Sequence, residues 1–241
     1  TRLRKSQRGL PIFRAFAPDP SLTPAATKWR AGVSFPAMTY AIIGFTVLIS
    51  LLALRDRKVF ESMMFEPFVI NVRKDWFRLV THGFIHGNIP HLAVNMFVLF
   101  IFGPTVENGY AEITGRTGIL PFLILYLAGI TLSSLPGYYK HRWDPTYRAV
   151  GASGATSAVV FASILMYPTN KMYLLILPIP AQAWIFGLLY LGYEWYMGKR
   201  GGDGIAHDAH FAGALVGIVF TALLDPGLLP RFMSAVSGSF S

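Results

Sequence analysis

Apolar residues in this chain fall into six blocks separated by short polar breaks, and each block approaches the length that crosses a bilayer as helix. A hydrocarbon core of ~30 Å takes about 20 mostly apolar residues. The first block runs from about Pro36 to Leu54. It opens on a proline, whose missing N–H costs nothing at a helix start, and stops at Arg55, Asp56, Arg57 and Lys58. The second begins at Pro90-His91, carries Asn95 and is expected to end near Glu107, after an interruption at Gly103-Pro104. The third covers roughly Thr117 to Leu135, and the fourth runs from Gly151 to Pro168, short for a crossing. The fifth lies within Met172 to Met197, disturbed by Pro178 and Pro180, and the sixth spans about Ala206 to Leu224 before Asp225-Pro226-Gly227.

The pattern predicts an all-α, polytopic membrane protein with six spans. A basic N-terminal segment (1–35) precedes the six-span domain (36–225), and a short C-terminal tail (226–241) follows it. The long connection from Arg55 to Ile89 mixes Phe60, Phe65, Phe68, Trp76 and Phe77 with Arg and Lys. That is the composition of a segment lying in the bilayer interface. An even number of spans puts both termini on one side, and the basic N-terminal segment points to the cytoplasm. Leu3 to Ala17 lacks the long apolar core of a secretory leader.

Composition agrees. Of 241 residues, 53% are hydrophobic and 14% charged, where a soluble domain carries roughly a quarter charged residues. The net charge of +9 could suggest nucleic acid. Its basic residues instead cluster at the amino terminus and between apolar blocks, where anionic lipid headgroups would meet them. The chain has no cysteine, which excludes disulfides, thiolate chemistry and cysteine zinc sites.

Ionisable and polar side chains within apolar blocks are costly, and so are functional candidates. Ser153 falls in the first turn of the fourth block, where free backbone N–H groups and the positive helix end suit a developing oxyanion. An N-cap serine is the structural alternative, although Gly151 and Gly154 clear space around the hydroxyl. His210 lies near the start of the sixth block, and Ala209, Gly213 and Gly217 form a small-residue stripe that lets helices approach closely. A nucleophile on one helix and its base on another need that approach. On the second block His91 and Asn95 share a face one turn apart, and both can donate to an oxyanion. His82, His86, His91, His207 and His210 could also serve a metal, but no HExxH pattern occurs and none is expected here. A protein that binds membrane helices without cutting them, or a channel lined by these groups, remains open at this point.

HGFIHGNIPHLAVN (82–95), GASGA (151–155) and AHDAHFAGALVG (206–217), in that order, resemble the rhomboid family of intramembrane serine proteases. The resemblance covers roughly Pro36 to Asp225. It implies an active enzyme in which Ser153 is the nucleophile and His210 its base, a dyad with no acidic third member and no place for His207. It also implies an oxyanion hole of His91, Asn95 and the Ser153 N–H, supported by His86, Gly151, Gly154, Gly213 and Gly217. Phe77-Arg78 stands where the family often has Trp-Arg, with Trp76 one place early, and Gly103 and Glu107 match the end of the second span. Many rhomboids carry a tyrosine four residues after the serine, and this chain has Ser157 there. The implied substrates are single-span membrane proteins cut near the outer face of their helix. They would enter beside the fifth span, with Trp184 and Phe186, and no cofactor is needed. The bare core favours a bacterial plasma membrane.

Overall fold

The computed structural model describes residues 35–174 and 177–239, so the basic N-terminal segment lies almost wholly outside the described residues. Six longer helices dominate: α1 (Ala37–Arg55), α2 (Ile89–Thr114), α3 (Ile119–Ser133), α4 (Ser153–Met166), α5 (Ala183–Arg200) and α6 (His207–Leu224). A final helix, α7 (Leu228–Gly238), occupies most of what the sequence pattern gives as a tail. Among the described residues, α1, α2, α3 with its short continuation to His141, and α6 are long and apolar enough to cross a membrane.

The helix α4 is different. Its fourteen residues rise about 21 Å, short of a ~30 Å core, and all from Gly154 to Leu165 are buried. It sees protein on every side. Glycines set its neighbours' distances: a side chain at Gly213 or Gly217 of α6 would collide with the backbone carbonyls of Gly154 and Ala158, and one at Gly129 of α3 would meet Ala155. The small-residue stripe read from the sequence is therefore a helix contact, and Tyr110 of α2 ties to Thr221 of α6 by a 2.6 Å hydrogen bond.

Two elements differ from the sequence expectation. The second helix runs through Pro104 to Thr114 and closes on Gly115 at φ 64°. Gly103 and Glu107 explain why this stretch holds: Gly103 leaves room for Thr39, and the Glu107 carboxylate accepts the Met38 and Thr39 N–H groups at 3.1 and 2.8 Å and the Thr39 hydroxyl at 2.8 Å. An acid at the positive end of α1 satisfies N–H groups that the helix cannot. The prolines of the fifth block fall in an antiparallel hairpin, Lys171–Leu174 against Leu177–Gln182, and α5 starts only afterwards. Prolines are tolerated in a two-stranded edge where no inner ladder is lost.

The connection between α1 and α2 is built of short helices (Arg57–Met63, Pro67–Arg73, Arg78–Thr81) and a 3-10 turn at His82–Phe84. Arg78 organises it. Its buried Nη1 donates to the carbonyls of Glu61 and Met64, both at 2.9 Å, and to Glu66 Oε1 at 3.2 Å.

Gly217→Leu should destabilise the protein by about 1–3 kcal/mol or more through overpacking. Gly192→Leu, where nothing stands near a new Cβ, should leave the thermal midpoint in detergent unchanged. Equal midpoints for the two variants would contradict the close α4–α6 contact.

Candidate active site

The turn that leads into α4 is held from both sides. Gly151 N–H donates to the His82 carbonyl at 2.9 Å, and Ala152 N–H donates to His86 Nε2 at 3.3 Å. The His86 tautomer follows from its neighbours. Ser50 gives its hydroxyl proton to the Phe84 carbonyl at 2.9 Å, so it accepts from His86 Nδ1–H, also at 2.9 Å. Nε2 is then bare and can accept from Ala152. Gly151 sits at φ 120°, a conformation open to glycine, and a side chain there would strike the His91 ring. Ser153 follows as the first residue of α4.

His91 and Asn95 lie in the first turns of α2. Asn88 caps that helix by accepting the His91 N–H at 2.8 Å. Asn95 is buried, and its amide has one arrangement that suits its partners. Nδ2 donates to the His91 carbonyl at 2.9 Å, and Oδ1 accepts from the Thr156 hydroxyl at 3.1 Å. One Nδ2–H is left over. The His86 and His91 rings meet edge to face at 5.0 Å.

Ser153, His91, Asn95 and His210 all line one cavity of about 1190 Å³, which Phe186 and Tyr190 of α5 also border. Among the described residues no hydrogen bond joins Ser153 to His210. The His210 ring bonds through Nδ1 to Glu194 Oε1 at 3.2 Å, which leaves Nε2 as the ring's acceptor. Glu194, buried on α5, also meets His207 Nδ1 through Oε2 at 2.6 Å, and His207 Nε2 meets Asp203 Oδ2 at 2.8 Å. Asp208, nearer to His210 in sequence, is engaged by Lys140 at 2.8 Å.

The rhomboid domain family matches residues 73–226, well over half of the chain. The chain belongs to the rhomboid family. It is 27% identical over 158 residues to RHOMBOID-like protein 12, mitochondrial, of Arabidopsis thaliana, covering 62% of this chain and 46% of that protein. It is 28% identical over 151 residues to presenilin-associated rhomboid-like protein A, mitochondrial, of Danio rerio, covering 58% and 35%. It is also 35% identical over 101 residues to rhomboid protease GluP of Bacillus subtilis, covering 42% of the chain and 18% of that protein. The chain spans about half the length, or less, of these relatives. Two of the three names are mitochondrial, and the expected bacterial plasma membrane finds no support in them; the four membrane-length helices do support an integral membrane protein.

In this rhomboid the tyrosine position holds Ser157, whose hydroxyl is 2.9 Å from the Tyr190 hydroxyl of α5. The ring beside His210 is His207, edge to face at 6.0 Å. The His210 ring has an acidic neighbour in Glu194, which also meets His207. Glu194, His207 and His210 also bring three atoms of metal-ligand type within 4.8 Å of one another, each already paired with another member of the group or with Asp203. Glu194 carries a weaker sequence signal than His210, one acid among the aromatic residues Tyr193, Trp195 and Tyr196. Sequence alone does not say that α5 and α6 put the two side by side.

Burial pushes His82 down to about 4 and, with His91 beside it, His86 down to about 3. Both rings are neutral in the fold and titrate near pH ~6.5 when unfolded. Between those values the unfolded chain binds more protons, so stability is full above pH ~6.5 and is lost as pH falls toward the folded values. The thermal midpoint should fall with acid in that window, and less steeply in His86→Gln. A midpoint flat from neutrality to about pH 4 would contradict the buried, neutral rings.

Proposed function

We propose that this rhomboid is an active intramembrane serine endopeptidase that cleaves single-span membrane proteins in the outer part of their helix. The observation that carries the reading is the shared cavity. Ser153 opens α4 there, a bare His210 Nε2 belongs to the same lining, and Asn95 keeps one N–H unspent.

In the proposed reaction Ser153 Oγ attacks the substrate carbonyl while His210 Nε2 takes its proton. The oxyanion is held by the spare Asn95 N–H, the His91 ring and the Ser153 backbone N–H. Collapse breaks the peptide bond, and His210 returns the proton to the departing amine. Water, activated by the same nitrogen, then hydrolyses the acyl-enzyme. A substrate helix must open first, because its backbone groups are already paired. Entry beside α5 is supported by that helix's thin packing: Ala183, Gly187 and Glu194 are its buried residues, while Leu188, Leu189, Tyr193 and Tyr196 are exposed.

Purified protein in lipid should cleave a model single-span substrate, and a fluorophosphonate should label Ser153 but not Ser157. Ser153→Ala and His210→Ala should be folded and inactive, and retained cleavage by either would overturn the proposal. Asn95→Ala should lower turnover by up to about 10²–10³-fold, the cost of losing one such donor. A lower thermal midpoint with unchanged turnover per folded molecule would instead mark Asn95 as structural.

A further inference from the structure

A buried carboxylate costs several kcal/mol unless it is paired, and an apolar residue of similar size would often pack there more cheaply. Glu194 is such a carboxylate: it is 4% exposed, on a helix that otherwise buries only Ala183 and Gly187. Its two oxygens are divided. Oε2 accepts from His207 at 2.6 Å and Oε1 from His210 at 3.2 Å. The atom it holds on His210 is Nδ1, the nitrogen whose protonation leaves Nε2 free to act as a base.

We propose that Glu194 is a positioning residue: it fixes His210 as the Nδ1–H tautomer and supplies the negative charge that balances the imidazolium formed when Ser153 gives up its proton. The proposal rests on the protease reading above and adds a positioning acid behind the Ser153–His210 dyad.

His207 sets the direction of that chain. Its two ring nitrogens each face a carboxylate, Glu194 Oε2 at 2.6 Å and Asp203 Oδ2 at 2.8 Å. Ionised carboxylates only accept, so both nitrogens donate and the ring carries a positive charge. One positive ring between two carboxylates leaves one negative charge over, next to His210. It also commits Glu194 Oε2, so that Oε1 is the oxygen left for His210. Lys140 engages Asp208, which keeps that acid out of the arrangement. Orientation of a catalytic histidine by a buried acid is worth up to about 10⁴-fold in turnover in soluble serine proteases.

Glu194→Gln makes the sharpest test, because the amide has one oxygen and one NH₂. Where His207 keeps its Nδ1–H, that donor takes the oxygen, so the NH₂ turns to His210 Nδ1 and forces the proton to Nε2, the wrong tautomer. The full chain in lipid, with ring-¹⁵N histidine, should show His210 as the Nδ1–H form in wild type and as the Nε2–H form in Glu194→Gln. The kcat for a single-span substrate should fall about 10²–10⁴-fold with KM little changed, and the rate of Ser153 labelling by a fluorophosphonate should fall with it. Glu194→Asp, which keeps the charge, should recover part of both rates. Thermal midpoints of all variants separate these effects from misfolding.

An unchanged tautomer and turnover in Glu194→Gln would overturn the proposal, as would a wild-type His210 protonated at Nε2. Activity lost to a chelator and restored by zinc would also overturn it, since the cluster would then serve a metal. If the wild type neither cleaves substrate nor takes label, the protease reading fails, and the nitrogen resonances still decide whether Glu194 sets the tautomer.

Discussion

The burial of α4 is the constraint on which the rest of the molecule depends. A helix of fourteen residues cannot reach both faces of a bilayer core, so at least one of its ends must stop inside. Unpaired backbone groups at that depth are tolerated only where protein or a water-filled cavity surrounds them. The fold meets this by enclosing α4 between α3 and α6 at glycine distances, with Gly154 packed against Ser133 and Gly213 against Gly154. The enclosure puts the N-terminal turn, with its free N–H groups, against the cavity that His91, Asn95 and His210 also line. A serine there gains a hydroxyl, backbone donors and the positive helix end at one point.

The loop that precedes this turn is held by a part of the chain far away in sequence. Ser50 on α1 fixes His86, and His86 fixes the Ala152 N–H. His82 contributes its carbonyl to Gly151, while its own Nδ1 donates to the Arg78 carbonyl at 2.8 Å. Arg78 in turn gathers the carbonyls of Glu61 and Met64. The segment between α1 and α2 thus acts as a bracket, carrying the position of α1 to the residue before Ser153. Glu107 braces the opposite end of α1 from α2.

Much of this was legible in the chain because the signals are local or strongly periodic. Long apolar blocks gave α1, α3 and α6, and the spacing of Gly213 and Gly217 gave a close helix contact. The pair His91 and Asn95 on one helix face was readable from i, i+4 spacing alone. What escaped depends on contacts between distant segments. Pro104 reads as a break, yet α2 continues past it, because Gly103 and Glu107 are anchored by Thr39, more than sixty residues away. Pro178 and Pro180 read as faults in a helix and belong to a hairpin. Glu194 reads as one acid in the last turns of a weak block, and only the crossing of α5 and α6 places it beside His210. Ser157, at the position of the family's tyrosine, likewise meets a residue of another helix, the Tyr190 hydroxyl.

The proposed oxyanion site lies between the start of α4 and the facing turn of α2. A structure of the protein after reaction with a fluorophosphonate tests it most directly, since the adduct's phosphonyl oxygen stands where that oxyanion would form. Phosphorus should be bonded to Ser153 Oγ, with that oxygen within hydrogen-bond reach of the Asn95 amide, the His91 ring and the Ser153 N–H. An adduct on another residue, or a phosphonyl oxygen turned away from all three donors, would contradict it.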